Sequence, residues 1–135
     1  FWEECARDMR ADLNTNCDVT LPNGRIIRYH NVQIGRGQIT ATTTMGDPPR
    51  YWYGGKICEN IVQATARDVF TDCYHRILKA GYEVVWTVHD ELIAEVDESD
   101  NTALKDIEQI MSTAPTWLGD CPIAAEAYET RIYKK

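Results

Sequence analysis

The sequence predicts an α+β domain, an antiparallel sheet with helices packed on one face. Three observations predict it. Two β-rich runs flank Pro22-Asn23-Gly24, a helical periodicity runs from Lys56 to Ala80, and two further β runs enclose the polar triplet His89-Asp90-Glu91. Runs of period two joined by turn residues read as antiparallel hairpins, and a long 3.6-period stripe needs a sheet or helix to bury it.

The elements follow in chain order. Phe1 to Leu13 reads as the end of a helix, with Trp2, Cys5, Met9 and Leu13 at helical spacing. Val19 and Leu21, then Ile26, Ile27 and Tyr29, form the arms of a hairpin whose Asn-Gly supplies the positive φ that a tight turn requires. The strand from Arg25 to Ile34 is expected to end at Gly35 and Gly37, and Gln38 to Thr44 to form a threonine-rich strand. Asp47-Pro48-Pro49 breaks the chain, and Tyr51-Trp52-Tyr53 with Gly54-Gly55 reads as an aromatic loop.

The long helix carries Ile57, Ile61, Ala64, Val69, Cys73 and Ile77 on its inner stripe, widened by Val62, Ala66, Phe70 and Leu78, and Gly81 stands where a C-terminal glycine belongs. Glu83 to Val88 and Leu92 to Val96 form a second hairpin with a polar tip. The acidic loop Asp97 to Asp100 can cap a helix from about Asn101 to Ser112, and Ile123 to Tyr133 reads as a last strand.

The 135 residues amount to one domain, large enough to bury a core without disulfides. No apolar run is long enough to span a bilayer, and no membrane partner is expected. Five cysteines, an odd number without C-x-x-C spacing, are expected to be free thiols in a reducing, cytoplasmic compartment. Phe1 at the start, in place of Met, suggests a processed or truncated chain.

The net charge of −7 is unevenly spread. Val19 to Cys58 holds five bases (Arg25, Arg28, Arg36, Arg50, Lys56) against one acid, Asp47, whereas Asp90 to Glu129 holds eleven acids and one base, Lys105. The first stretch can follow a phosphate backbone, and the second would repel it unless cations intervene. Two solvated faces of opposite sign remain the alternative.

His89-Asp90-Glu91 is the most informative triplet. Polar residues between two apolar β runs must meet solvent or a ligand, because an unpaired carboxylate is costly to bury. Two adjacent acids on a rigid hairpin suit Mg²⁺, which prefers carboxylate oxygens and keeps several waters. Upstream, Gln63 precedes the small residues Ala64, Thr65 and Ala66, which let another backbone or a duplex approach the helix. An exposed helix residue and a solvated acidic turn are the plain alternatives.

Taken together, Gln63-Ala64-Thr65-Ala66-Arg67-Asp68, then Val88-His89-Asp90-Glu91-Leu92 followed by Glu95-Val96, resemble the C-terminal motifs of family A DNA polymerases, which include bacterial DNA polymerase I and its phage relatives. Tyr53-Gly54-Gly55-Lys56 and Pro122 to Ala127 look like the phage branch. The resemblance spans about Leu21 to Tyr133 and is densest from Tyr53 to Val96.

The resemblance implies that residues 1–135 are the C-terminal part of a polymerase palm. Asp90 would be a metal-binding, catalytic aspartate, and Glu91 the acid that supports it. His89 would lie near the primer terminus, Gln63 would read the minor groove, and Lys56 would stand near the duplex backbone. Bacterial members carry an Asn four positions before the glutamine; here Glu59 holds that place and Asn60 follows it, the candidate for that DNA contact. Ala64 stands where Gly commonly follows the glutamine.

The implied cofactor is Mg²⁺. The implied partners are primer-template DNA, deoxynucleoside triphosphates and the N-terminal remainder of the polymerase. The first catalytic aspartate and the fingers helix are expected upstream of Phe1, so the chain alone is expected to be inactive. An open sheet edge is expected to favour self-association. The rival reading is a non-catalytic palm-like module that binds primer-template DNA or a protein through Tyr51, Trp52 and Tyr53.

Overall fold

The computed structural model describes residues 16–35 and 38–133, which fall into two compact units, Phe1–Thr65 and Ala66–Lys135. The helix expected over residues 1–13, with Cys5, lies outside the described residues, as does the expected strand end at Gly37.

The first unit is built on a four-stranded antiparallel sheet in the order β1-β2-β3-β4: Cys17–Thr20, Ile26–Gly35, Gln38–Thr42 and Arg50–Trp52. The first hairpin closes as the sequence predicts. Gly24 adopts φ +87, its N–H donates to the Leu21 carbonyl at 2.9 Å, and the Asn23 side chain accepts from the Arg25 N–H at 3.0 Å. Strand β2 pairs with β1 through its first half and with β3 through its second.

Between the two halves lies a bulge, where the register slips between His30 and Gln33 and Asn31 takes φ +52. In an unbroken strand Tyr29 and Val32 would face opposite ways. The extra residue returns Val32 to the inner face, and both are buried.

The core of this unit gathers Cys17, Val19, Tyr29, Val32, Ala41, Trp52 and Ile57, with Ile27, Ile39 and Ile61 packed against it. Tyr29 and Trp52 meet edge to face, their ring centroids 5.0 Å apart. Here the structure corrects the expected aromatic loop. Arg50–Trp52 is strand β4, paired Ile39 to Trp52, Thr40 to Tyr51 and Ala41 to Arg50. Trp52 is buried, and its indole N–H donates to the Ala41 carbonyl at 3.1 Å. Three residues are too few for periodicity to register as a strand, and only pairing with β3 makes them one.

Helix α1, Gly54–Lys79, runs through the boundary between the units. Its N-terminal turns bring Ile57 and Ile61 to the first core. Its end is a Schellman motif: Gly81 takes φ +97, its N–H donates to Leu78, and the Tyr82 N–H donates to Ile77. The expected width of the apolar stripe is not borne out at three positions, since Val62, Ala66 and Leu78 are exposed while Ile77 is fully buried.

The second unit carries a separate two-stranded antiparallel hairpin, β5 Glu83–Val88 and β6 Glu91–Glu95, so the strands form two sheets where one was expected. Helix α2, Ala103–Met111, follows. It starts two residues later than the expected Asn101; its N-cap Thr102 makes no side-chain cap bond, and the acidic loop covers the start instead, Asp100 accepting from the Thr102 and Ala103 N–H groups at 3.0 and 3.2 Å. The buried apolar residues of the second unit include Cys73 and Ile77 of α1 and Ala103 of α2.

Residues 119–133 contain no strand, contrary to the expected strand over 123–133. Ile123, Ala125 and Ala127 alternate half-buried with exposed neighbours, so the period-two signal is real. The segment finds no ladder among the described residues; one backbone N–H, that of Ala125, donates instead to the Ser112 hydroxyl at 3.0 Å.

Candidate functional site

The tip of the second hairpin is a two-residue turn, His89-Asp90, closed by the pair Val88 and Glu91. His89 adopts φ +55 while Asp90 stays at negative φ, the sign pattern of a type II′ turn. Glycine usually fills the first position, because a side chain there meets its own backbone; histidine and asparagine are tolerated more often than most residues. A bulge between Val84 and Trp86 twists β5 behind the tip.

All three tip side chains are exposed. Glu91 opens β6, and one of its carboxylate oxygens accepts a hydrogen bond from the Tyr133 hydroxyl at 2.7 Å. Binding to that carboxylate holds the Tyr133 proton more tightly and raises its pKa above the ordinary tyrosine range. On the other side, the Arg67 guanidinium reaches the His89 carbonyl at 3.4 Å while lying over the Phe70 ring. Asp90, between them, has no hydrogen-bond or ion-pair partner among the described residues.

The remaining candidates stand on the N-terminal half of α1, in the first unit. Lys56, Asn60 and Gln63 follow one another at spacings of four and three, along one stripe of the helix. Lys56 holds its ammonium 5.1 Å from the Trp52 ring centroid. Asn60 is part-buried and donates to the Tyr29 hydroxyl at 2.8 Å, so its side chain is engaged within the fold. Gln63 is exposed and partnerless among the described residues. Next to it, the Ala64 carbonyl accepts from the Arg25 guanidinium at 3.1 Å, so one base of the basic stretch is tied to this helix.

Of the aromatics assigned to a binding surface, Trp52 belongs to the core; Tyr51 and Tyr53 are exposed, with ring centroids 6.3 Å apart. The sequence reading gave no role to Tyr133, or to Arg67, which it quoted only as part of the motif from Gln63 to Asp68. Neither contact with the tip is marked by the local pattern, because the partners lie 42 and 22 positions away.

The donor set bears on a magnesium site. Mg²⁺ demands near-octahedral oxygen coordination and is held by one or two carboxylates together with waters and substrate phosphates. Asp90 fits that part as a single exposed, unpartnered carboxylate. The described residues contain no group of three or more His, Cys, Asp or Glu able to hold an ion by themselves. Cys17, Cys58, Cys73 and Cys121 are free thiols, the first and third of them buried. No helix among the described residues is long and apolar enough to cross a membrane.

No protein-family model matches this chain, and no solved structure does. An 83-residue stretch, 62% of the chain, is 43% identical to a DNA polymerase of Bacillus phage SP02. The chain spans 13% of that protein's length. Its similarity to a phage DNA polymerase, over most of the chain and a small part of the polymerase, is the relationship that the sequence supports.

Proposed function

We propose that this chain is the C-terminal palm portion of a phage-type, family A DNA-directed DNA polymerase. The observation that carries the reading is the 43% identity to a phage DNA polymerase over 83 residues. An exposed aspartate without a partner, held on a two-residue turn, supports it.

The reaction is attack of a primer 3′-hydroxyl on the α-phosphate of a deoxynucleoside triphosphate, directed by a template strand. Bound Mg²⁺ would supply activation of the hydroxyl and neutralisation of the charge that develops on the phosphates. In this reading Asp90 offers one carboxylate to the metal, and the hairpin fixes its position so that little reorganisation is needed during reaction. Glu91 supports the tip. His89 lies toward the primer terminus. Gln63, on an exposed helix face, reads the minor groove beside small residues that allow close approach. Lys56 adds a duplex contact, Asn60 can reach the duplex only through the amide oxygen its bond to Tyr29 leaves open, and the basic stretch from Val19 to Cys58 follows the phosphate backbone.

The partners are then primer-template DNA, nucleotides and the N-terminal remainder of the polymerase, in the cytoplasm of a host cell. In this reading the isolated chain is inactive, because a site without the family's first catalytic aspartate cannot hold both of the Mg²⁺ ions the reaction needs. Primer extension with Mg²⁺ tests this, using the chain with and without the polypeptide encoded upstream. Extension by the pair only, lost in Asp90→Asn, is the expected result. Extension by this chain alone would sink the fragment reading.

The exposed pair Tyr51 and Tyr53 favours a second reading, a palm-like module that only binds DNA or protein. In that case Asp90→Asn leaves duplex binding and function untouched, whereas Tyr51→Ala and Tyr53→Ala weaken them.

A further inference from the structure

We infer that Tyr133 is a positioning residue: its hydroxyl fixes the Glu91 carboxylate, so that of two adjacent tip acids only Asp90 is left to take a cation. The inference rests on the polymerase reading and adds a residue to it.

Two carboxylates side by side repel one another, and a glutamate with three free torsions can swing toward any cation its neighbour binds. Glu91 is constrained on this protein by the 2.7 Å bond from Tyr133, which occupies one of its oxygens. The phenol is the donor, since an ionised carboxylate can only accept. Tyr133 arrives from 42 positions away, at the end of a segment with neither helix nor strand. That segment is held at Ala125, whose N–H donates to the Ser112 hydroxyl, and nearer Tyr133 it makes an exposed, weak ion pair of Arg131 with Glu98 at 3.0 Å. Arg67 meets the His89 carbonyl on the other side of Asp90. The turn is therefore held at the residues before and after Asp90, and Asp90 itself is left unpartnered. Partners that orient a metal-site residue from behind typically contribute tenfold or more to activity.

The test uses the two-polypeptide primer-extension mixture, with Tyr133→Phe, Glu91→Gln and the double variant. Tyr133→Phe keeps the ring and removes the donor. It is expected to lower kcat roughly tenfold while leaving KM for primer-template within about twofold. The double variant is expected to lose no more than the worse single variant, as for two members of one contact. In ¹³C-tyrosine spectra of this chain, the Tyr133 hydroxyl-bearing carbon, assigned by its absence in Tyr133→Phe, is expected to shift in Glu91→Gln.

Tyr133→Phe activity within twofold of the parent, or losses that multiply in the double variant, would overturn the positioning role alone. So would a Tyr133 resonance indifferent to Glu91→Gln. No extension by the unmodified pair overturns the polymerase reading, and the positioning role falls with it.

Discussion

The two hairpin tips differ in what their polar side chains do. At the first, Asn23 accepts from the Arg25 backbone and Gly24 supplies the positive φ, so the turn satisfies itself. At the second, a histidine takes the positive φ, its neighbours Arg67 and Tyr133 hold the turn from outside, and Asp90 has no partner among the described residues. A turn that only connects strands uses the residues its geometry favours. A positive-φ histidine and an unpartnered carboxylate are what the proposed metal-site role of the second tip would use.

The largest effect expected from this contrast is on activity. Asp90→Asn should reduce primer extension on the order of 10²–10³-fold, the loss typical of one preorganised electrostatic group. Asn23→Ala, at the other tip, should leave single-turnover extension within about twofold. Equal losses at both tips would erase the distinction.

Ile77 tests how much the second unit depends on its few buried apolar residues. It is fully buried, and Ile77→Ala should destabilise the chain by about 2–5 kcal/mol in denaturant titration. A loss below about 1 kcal/mol would mean that the small core around Cys73, Ile77 and Ala103 does little for the second unit.

Backbone strain should give opposite signs at the two tips. Gly24→Ala forces a side chain into the left-handed region and should cost about 1–2 kcal/mol. His89→Gly relieves the same strain and should be neutral or stabilising by less than about 1 kcal/mol, while lowering extension activity. Destabilisation in His89→Gly would show that the histidine side chain holds the turn together.

The smallest effect concerns the cap of α2. Hydrogen bonds from the Thr102 N–H and hydroxyl hold the Asp100 carboxyl below the usual range, with a weaker contribution from Ala103. The folded pKa is depressed, so this contribution is complete above the unfolded value of about 3.9 and is lost as pH falls through the folded pKa. Thermal melts between pH 5 and pH 2 should lose a few degrees more in the parent than in Asp100→Ala. Parallel curves would mean that the cap adds nothing.

Much of this was readable in the sequence, and the failures have physical causes. The Asn-Gly turn, the long helix with its terminal glycine, the Asp100 cap and the polar hairpin tip are local: each is fixed by residues within a few positions of one another. Strand β4 was missed because Arg50–Trp52 is a strand only through its ladder to β3. The expected strand over 123–133 was wrong for the converse reason, since alternation sets which residues lie inward but supplies no partner for the backbone. Val62, Ala66 and Leu78 were read as widening the inner stripe because their spacing allows it, and burial decides otherwise.

By itself, the sequence determined the α+β class, the extent of the main elements and the presence of acids at one rigid tip, because periodicity and turn chemistry act over short range. Only the tertiary structure decided that Trp52 is core, that Asn60 bonds to Tyr29, and that Arg67 and Tyr133 flank an unpartnered Asp90. Those assignments depend on which side chains meet across 22 to 42 positions of chain, and no local pattern encodes such a meeting.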